Sequence, residues 1–385
     1  MNKHQTIPSR RLTHNKMPWM GLGGALVGLA IGASVVAAAE PATPAASQSL
    51  PRPDGKPADM TKPVQVFILL GQSNMVGKGK IAGGEGSLDN AIKTKQKYPH
   101  LVDDAGKWTE RKDVRNVRVM VGRGGGMQLF NNEWMTIKGG TMGPEFGIGH
   151  PVGNAVEAPV MILKSCIGNR SLGWDLLPPG SERFEFEGKI YAGYKDRPDS
   201  WVADPAKGTA TEPPPWVDKN GKPVDWYAGK QYDDDVTNAK KVLSELGTYY
   251  PDATKYEVAG FFFWQGEKDC GNAGHASTYE KNLVAFIKHL RKDFNAPNAK
   301  FVLATLGEST KGSTGNGGKV LEAQLAVDGT SGKHPEFKGN VATVYANPLS
   351  KGGSGNSHYN GNAETYMDVG EALGKAMVDL LKTSK

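Results

Sequence analysis

The chain is poor in cysteine and lacks the residue spacing that holds a metal ion. Only two of its 385 residues are cysteines, Cys166 and Cys270, which excludes a disulfide framework. No group of His, Cys, Asp or Glu has ligand spacing, so we expect no metal and no cofactor. Each cysteine follows a predicted strand by a few residues. In an oxidising compartment the two could form one disulfide, and two buried free thiols are the alternative.

The chain also lacks a large charge excess once its N-terminal segment is set aside. The formal net charge is +6, with 46 basic and 40 acidic residues. Four basic residues and no acidic residue lie in residues 1–39, so 42 basic residues face 40 acidic ones in the remainder. No basic cluster with interleaved aromatic residues remains there. We therefore expect no nucleic-acid partner.

Residues 1–39 have the pattern of an export signal. A basic region with Lys3, Arg10 and Arg11 precedes an apolar run rich in glycine and alanine, which ends in three alanines before Glu40. This pattern is typical of a signal peptide that is cleaved after a small residue. We expect a periplasmic or secreted protein without stable membrane insertion after cleavage. An uncleaved membrane anchor is the alternative, because the apolar run is nearly long enough to span a bilayer.

The remainder has no internal repeat and no second domain boundary. Residues 40–62 are rich in proline and alanine and are typical of a linker, and residues 63–385 are predicted to form one domain. Strand-like and helical patterns alternate through it, which predicts a parallel sheet with helices on both faces. The predicted strands are 64–70, 114–121, 158–164, 256–264, 301–306 and 341–346. The predicted helices begin at Pro144, cover 234–246, follow the capping-box pattern 277–280, and cover 319–327 and 363–381.

Two long segments show neither helical nor strand periodicity. Residues 78–108 are predicted to be a loop. Residues 178–232 are predicted to be a long loop insertion, and its tryptophans and tyrosines argue against disorder. These aromatic side chains either form a rim on which sugars stack or pin the loop to the body of the domain.

The stretch that follows the first predicted strand carries a candidate nucleophile. A continuous apolar run from Val64 to Leu70 ends in Gly71-Gln72-Ser73-Asn74, which is typical of a buried parallel strand that ends at the rim of the sheet. An open α/β sheet keeps its active site at that rim. Ser73 is therefore either a nucleophile or the N-cap of an ordinary helix.

Other polar sequences stand at the same kind of position. Gly168-Asn169-Arg170-Ser171 and Gln265-Gly266-Glu267 each follow a predicted strand. A serine needs a base that accepts its proton, and the usual base is a histidine. His358, just before the last helix, is the best candidate. The remaining histidines of the predicted domain are expected in loops or on helix surfaces; they are His100, His150, His275, His289 and His334.

These motifs resemble, in order and spacing, those of the sialate O-acetylesterase-like proteins. The motifs are Gly71-Gln72-Ser73-Asn74-Met75, Gly168-Asn169-Arg170-Ser171-Leu172, Trp264-Gln265-Gly266-Glu267 and His358. The group includes the acetylxylan esterases of carbohydrate esterase family 6, within the SGNH-hydrolase superfamily. The resemblance spans residues 63–385. It implies a three-layer α/β/α domain with a mainly parallel, flavodoxin-like sheet.

The resemblance also implies roles for individual residues. Ser73 would be the nucleophile and His358 the base. The N–H groups of Ser73 and Asn169 and the side chain of Gln265 would form the oxyanion hole, although Asn169 replaces the second glycine usual in Gly-Gly-x-Ser. Residues beside these motifs would contact substrate; they are Gln72, Asn74, Arg170 and Trp174.

The third member of the expected triad is the main departure from the pattern. Many superfamily members carry Asp three residues before the histidine, and this chain has Gly355 there. Glu267 is the expected substitute, with Asp269 as the next choice. The resemblance therefore predicts an exported serine esterase that removes acetyl groups from carbohydrate. The alternatives are a catalytically degenerate carbohydrate-binding homologue and an esterase for lipid or aryl esters.

Overall fold

The computed structural model describes residues 49–122, 124–203 and 212–383. The predicted signal and residues 40–48 of the predicted linker lie outside these ranges. The strands are β1 (Val64–Gly71), β2 (Gly79–Lys80), β3 (Arg111–Val121), β4 (Met127–Met135), β5 (Thr141–Met142), β6 (Val160–Ser165), β7 (Phe184–Phe186), β8 (Lys189–Tyr191), β9 (Ser200–Val202), β10 (Tyr256–Trp264), β11 (Lys300–Ala304) and β12 (Val341–Val344). The helices are α1 (Ser73–Val76), α2 (Leu88–Lys93), α3 (Glu145–Ala155), α4 (Lys230–Ser244), α5 (Leu246–Tyr249), α6 (Glu267–Cys270), α7 (Ala273–Asp293), α8 (Gly315–Ala326) and α9 (Ala363–Lys382).

A seven-stranded sheet forms the centre of the domain, in the order β12-β11-β10-β1-β6-β3-β4. All neighbouring strands are parallel except β3 and β4, which form an antiparallel hairpin at one edge. Without that hairpin, the five remaining strands have the flavodoxin-like order 2-1-3-4-5. The chain therefore changes direction across the sheet between β1 and β10. Ligand sites in such sheets lie at the carboxyl ends of the strands at this switch point.

Helices cover both faces of the sheet, so the predicted three-layer architecture is confirmed. Alternate residues of β1 point to opposite faces, as a strand requires. Val66 and Ile68 join the core that α4, α7 and α8 cover. Phe67 and Leu69 join the core that α2, α3 and α9 cover. Every one of these four side chains is fully buried, as expected for the central strand of a parallel sheet.

The predicted loop insertion, residues 178–232, contains a small antiparallel sheet of β7, β8 and β9. The aromatic side chains of Trp174 and Trp201 are buried in a separate apolar cluster with Ile190 and Leu177. Trp216 and Trp226 pack against this cluster from outside. These tryptophans therefore form a small apolar core that joins the insertion to Trp174 and Leu177 in the loop after β6, which favours the interpretation that they pin the insertion to the domain. The sequence missed the sheet because its strands are only three residues long.

Two other expectations from the sequence are wrong in detail, and one strand was not expected. Residues 78–108 are not a continuous loop, because α2 lies within them with Ser87 as its N-cap. The capping-box pattern does not start α7. That helix begins a turn earlier, where the Asn272 side chain accepts hydrogen bonds from the N–H groups of Gly274 and His275. Strand β4 was not predicted at all, since its residues lack a clear alternation of apolar and polar side chains.

The two cysteines do not form a disulfide, which corrects one of the two alternatives above. Both Cys166 and Cys270 are free thiols. Cys166 is buried in the core on the α3 and α9 side of the sheet. Cys270 packs against the core on the opposite side. The sheet therefore separates the two sulfur atoms, although both residues follow strands at the same edge.

A buried ion pair supports the turn that carries Ser73. The Lys164 ammonium, which is 1 % exposed, donates to a Glu145 carboxylate oxygen at 2.5 Å and to the Val76 carbonyl at 3.1 Å. The other Glu145 oxygen accepts from the N–H of Gly143 at 3.2 Å. Val76 is the last residue of α1. The hydrogen bond from Lys164 to its carbonyl therefore holds the helical turn that starts at Ser73.

No helix among the described residues is long and apolar enough to cross a membrane.

Replacing Lys164 by methionine should destabilise the protein strongly, because it leaves the buried Glu145 carboxylate without its partner. Removing one member of such a pair costs about 3–5 kcal/mol. Urea unfolding followed by circular dichroism measures the loss. Lys382→Met, which breaks the exposed pair with Asp379, is the matched control and should change little. Equal effects of the two substitutions would contradict this role of Lys164.

Candidate active site

Ser73 lies at the carboxyl end of the central strand β1, at the switch point of the sheet. Strand β1 ends at Gly71, whose φ is +145°, and a Cβ there would lie 2.3 Å from the Trp264 carbonyl oxygen. Only glycine lets β1 and β10 run together to this point. Ser73 then opens α1 and is partly exposed in a cleft of about 900 Å³. In the described part of the chain its hydroxyl and its N–H have no hydrogen-bond partner.

The turn after β6 lies directly against Ser73. A Cβ on Gly168 would be 3.3 Å from the Ser73 Cβ, so the absence of a side chain allows this contact. Asn169 has a φ of +58°, the left-handed conformation that asparagine tolerates better than most residues. No acceptor among the described residues takes the Asn169 N–H. Two free backbone N–H groups, of Ser73 and Asn169, thus border the cleft.

Gln265, the third expected oxyanion donor, is placed differently. Its side chain is fully buried, and its Nε2 donates to the Arg170 carbonyl at 2.9 Å and to Asp269 at 2.6 Å. Its Oε1 accepts from the Tyr279 hydroxyl at 2.8 Å. Gln265 does not line the cleft in this structure. Its amide instead connects the turn after β6 to the loop after β10.

His358 lies in the cleft with Ser73, as the sequence predicts, but its ring is not held. Among the described residues, no hydrogen bond joins the ring to Ser73 or to a carboxylate. Its backbone φ is +54°, within a turn that precedes α9. Partial burial and the nearby Lys78 ammonium both lower the pKa of His358 below its ordinary 6.5. The imidazole is therefore neutral near pH 7, the form that accepts a proton.

Glu267 is buried behind the Ser73 turn and does not contact the histidine ring. Its two oxygens accept from Gln72 Nε2 at 2.5 Å and from Asn74 Nδ2 at 2.7 Å. Asn74 Nδ2 also donates to the Gly355 carbonyl at 3.2 Å. That same carbonyl accepts the N–H of His358 at 2.9 Å. Glu267 thus connects the serine turn to the histidine turn through Asn74.

Glu308 is a residue of this site that sequence reasoning missed. It follows β11, and its carboxylate accepts the N–H of Gly355 at 3.1 Å. A Cβ on Gly355 would lie 2.5 Å from a Glu267 oxygen and 2.7 Å from a Glu308 oxygen. The position where relatives carry Asp is therefore flanked by two carboxylates and has no room for a side chain. The rule that polar residues at strand ends form the site, applied to the strand before Glu308, would have found it.

Burial and the neighbouring carboxylate make Glu267 a weak acid. Its side chain is shielded from water, and the charge of Glu308 adds to this effect, so the pKa of Glu267 rises to about 7. Hydrogen bonding from Asn74 opposes the shift only in part. Near neutral pH, Glu267 is therefore present in both its protonated and its ionised form.

Asp269, the second candidate for the acid, also accepts hydrogen bonds from backbone N–H groups and does not contact the His358 ring. It is fully buried and accepts the N–H groups of Leu172 at 2.9 Å and Gly173 at 2.8 Å, in addition to Gln265. Burial raises the pKa of Asp269. Its carboxylate therefore fixes the loop after β6 in the position where Asn169 borders the cleft.

The residues predicted to contact substrate divide into two groups. Gln72 and Trp174 line the cleft. Asn74 is buried behind it, and Arg170 turns away, with its guanidinium 4.4 Å from the centre of the Trp226 ring. Arg170 also donates to Gln231 at 3.2 Å. Its role in the structure is to attach the insertion to the loop after β6.

Three histidines are not at the surface positions expected of them. His100 and His150 are buried with their rings 4.6 Å apart. His275 is buried in the first turn of α7 and borders the cleft, where its Nε2 lies 2.7 Å from an Asp199 oxygen. This pair was not predictable from the sequence, because Asp199 comes from the insertion and is 76 residues away.

The cleft shows no grouping that would bind a metal ion. No set of three or more His, Cys, Asp or Glu side chains in the described ranges is arranged to hold one. Cys270 borders the cleft, but burial raises the pKa of its thiol to about 12. Since the thiolate is the reactive form, Cys270 is a poor nucleophile and Ser73 is the better candidate.

A serine, a neutral histidine and free backbone donors at the switch point of a parallel sheet are the parts of an ester hydrolase site. Residues 215–379 match the family described as SASA, carbohydrate esterase, sialic acid-specific acetylesterase. The resemblance predicted from the motifs is therefore confirmed. The chain is similar to the sialate O-acetylesterase-like proteins over these residues, and it is a carboxylic ester hydrolase. No curated protein sequence matches it significantly.

Solved structures with a similar chain course include three proteins. An Arabidopsis thaliana protein is 18% identical with a TM-score of 0.44, covering 82% of this chain and 98% of its own. A carbohydrate acetylesterase from Xanthomonas citri is 14% identical with a TM-score of 0.46, covering 83% of this chain and 56% of its own, so the chain spans little more than half of it. NanS is 13% identical with a TM-score of 0.40, covering 85% and 99%. With TM-scores below 0.5, these similarities add nothing to the assignment.

Gly355→Ala should impair the site, because the new methyl group would overlap the oxygens of Glu267 and Glu308. Glu267 cannot move without losing its two amide donors, so we expect a cost of about 1–3 kcal/mol and a lower kcat. Esterase assays and thermal unfolding measure the two effects.

Gly84→Ala is the matched control, since a Cβ there meets nothing within 4 Å. Full activity of Gly355→Ala would show that the two carboxylates do not confine this turn.

Proposed function

We propose that this protein is an exported serine esterase that removes O-acetyl groups from carbohydrate through an acetyl-enzyme on Ser73. The observation that carries the proposal is the position of Ser73. Its hydroxyl and its N–H open without partners into the cleft that His358 also borders. The carbohydrate esterase family match supports the substrate class. Export rests on the pattern of residues 1–39, and N-terminal sequencing of the mature protein tests it.

The proposed reaction needs only groups that border the cleft. His358 accepts the proton of Ser73 as Oγ attacks the acetyl carbonyl carbon. The carbonyl oxygen becomes an oxyanion and receives hydrogen bonds from the N–H groups of Ser73 and Asn169. His358 then gives its proton to the sugar oxygen, which leaves as a hydroxyl. Water, deprotonated by His358, attacks the acetyl-enzyme, and acetate leaves as Ser73 recovers its proton.

Glu267 is proposed as the carboxylate that supports His358, acting through other groups and not by contact with the ring. Its hydrogen bonds from Gln72 and Asn74 hold the serine turn. Asn74 also donates to the Gly355 carbonyl, which accepts the backbone N–H of His358. The proposed contribution of Gln265 to the oxyanion hole requires its amide to leave the Arg170 carbonyl when substrate binds.

Ser73→Ala should abolish acetate release from O-acetylated sugars and from 4-nitrophenyl acetate, because Ser73 supplies the attacking oxygen in the proposed reaction. A fluorophosphonate probe should label the wild type at Ser73 and leave the variant unlabelled, as peptide mass spectrometry would show. Ser331→Ala, at an exposed serine distant from the cleft, is the control. Wild-type turnover by Ser73→Ala would refute the proposed nucleophile.

Glu267→Gln should change the pH dependence of stability. Folded Glu267 keeps its proton up to about pH 7, whereas the unfolded chain loses it near the ordinary 4.5. The wild-type free energy of unfolding therefore falls as pH rises from 4.5 to 7, and glutamine removes this part of the slope. The variant should gain roughly 3 kcal/mol relative to wild type across that window.

Urea unfolding at several pH values measures this difference, with Glu110→Gln as the exposed control. The same variant should lose at least tenfold in kcat/KM, about 1.4 kcal/mol, since a glutamine amide cannot accept from both of its neighbours. Parallel stability profiles for variant and wild type would contradict the raised pKa of Glu267.

A catalytically degenerate carbohydrate-binding protein is the second candidate function. One observation favours it, namely that the His358 ring contacts neither Ser73 nor a carboxylate in the described structure. An enzyme brings these groups together at least when substrate binds, whereas a degenerate site does not. Absence of fluorophosphonate labelling at Ser73, together with retained sugar binding, would favour the second candidate.

A further inference from the structure

The cleft is also lined by a carboxylate that the proposed reaction does not use. Asp199 borders the same cleft as Ser73, and its side chain is 38% exposed. One of its oxygens lies 2.7 Å from His275 Nε2. In the described part of the chain the other oxygen has no hydrogen-bond partner. One oxygen of Asp199 is therefore held by His275, and the other is available to accept a hydrogen bond in the cleft.

His275 holds this carboxylate from a tightly fitted position. Its side chain is 5% exposed. A Cβ on Gly173 would lie 2.5 Å from the imidazole, and a Cβ on Gly274 would lie 2.2 Å from the Tyr191 ring that packs against His275. Two glycines thus make room for the two rings. The imidazole has little freedom to turn, so Asp199 keeps a fixed direction.

The charges around His275 favour its protonated form. Burial opposes a charge there, but the hydrogen bond and the charge of Asp199, with the more distant carboxylates of Asp269 and Asp175, raise the pKa of His275 above 6.5. The carboxylate oxygen of Asp199 that does not face His275 accepts hydrogen bonds from hydroxyl groups.

Among the described residues of the insertion, only Asp199 lines the cleft. The rest of the lining comes from the loops after β1, β6 and β10 and from the His358 turn. A cleft of about 900 Å³ is far larger than an acetyl group and has the size of sites that bind whole small molecules. The cleft therefore has room for the sugar that carries the ester, with Asp199 among the residues that line it.

From this geometry we infer that Asp199, oriented by His275, binds hydroxyl groups of the sugar ring that carries the acetyl ester. Asp199 is then a specificity residue for an uncharged, hydroxyl-bearing part of the substrate, and His275 is its positioning residue. The inference rests on the proposed carbohydrate esterase function. It adds a substrate contact that the insertion supplies.

Steady-state kinetics with two kinds of ester separate this role from a structural one. O-acetylated methyl xyloside and O-acetylated N-acetylneuraminic acid carry ring or chain hydroxyls, and 4-nitrophenyl acetate carries none. Asp199→Ala should raise KM for at least one O-acetyl sugar about tenfold or more. Its kcat/KM for 4-nitrophenyl acetate and its rate of fluorophosphonate labelling should stay at the wild-type level. His275→Gln should raise the same KM, because it frees Asp199 to turn.

Asp196→Ala is the matched control on the same insertion. The Asp196 carboxylate accepts from Arg183 at 2.6 Å and from the Gly193 N–H at 2.8 Å, and it does not border the cleft. It should lower thermal stability without a selective change in the KM for sugars.

Three results would overturn the inference. An unchanged KM for both sugars in Asp199→Ala would show that Asp199 does not contact the substrate, and the proposed esterase function would still stand. An equal loss toward sugars and 4-nitrophenyl acetate, with a lowered Tm, would assign Asp199 to docking of the insertion. A wild type that hydrolyses 4-nitrophenyl acetate but neither sugar would contradict the carbohydrate substrate and the inference together.

Discussion

The site depends on the close approach of β1 and β10 at the centre of the sheet. Gly71 and Trp264 are register partners, and only the missing Cβ of Gly71 allows the chain to turn into α1 beside the Trp264 carbonyl. Because both strands end at this level, the Ser73 turn and the loop that carries Glu267 start side by side. The hydrogen bonds from Gln72 and Asn74 to Glu267 depend on this shared end point.

Three carboxylates then organise the loops, and none of them touches the proposed base. Glu267 joins the serine turn to the histidine turn, Asp269 fixes the loop after β6, and Glu308 accepts the N–H of Gly355. Glu267 and Asp269 are buried, whereas Glu308 is exposed. Buried carboxylates are unfavourable unless hydrogen bonds satisfy them, and here the donors are backbone N–H groups and side-chain amides of those loops. The requirement to satisfy Glu267 and Asp269 therefore shapes the cleft.

The sequence predicted those features that depend on periodicity and on the ends of strands. The central strands β1, β6 and β10 and the helix α9 were found because their apolar runs are long and end in glycine or polar residues. The same reasoning placed Ser73, Asn169 and His358 around one cleft. It did not find β7, β8 and β9, because strands of three residues carry no measurable alternation.

Contacts between distant segments were not predictable from the sequence either. Two of the partners of Asp269 are backbone N–H groups, of Leu172 and Gly173, and a backbone N–H has no identity in the sequence. His275 and Asp199 meet only because the insertion packs on α7. Gln265 follows the family motif, yet its amide serves Arg170 and Asp269 in the structure. A motif fixes which residue stands at a strand end, whereas the direction of its side chain depends on which donors and acceptors surround it.

The absence of Asp before His358 has a physical counterpart in the structure. A carboxylate beside the ring would raise the pKa of the imidazole and fix its orientation. Here the Gly355 position is confined by Glu267 and Glu308, and the charged neighbour of the ring is Lys78, which lowers the pKa of His358. The proposed base is therefore weaker than in a triad and is neutral over a wider range of pH. In the proposed mechanism its orientation relies on the Gly355 turn, so the two glutamates that confine this turn would supply part of the support that an aspartate gives through direct contact.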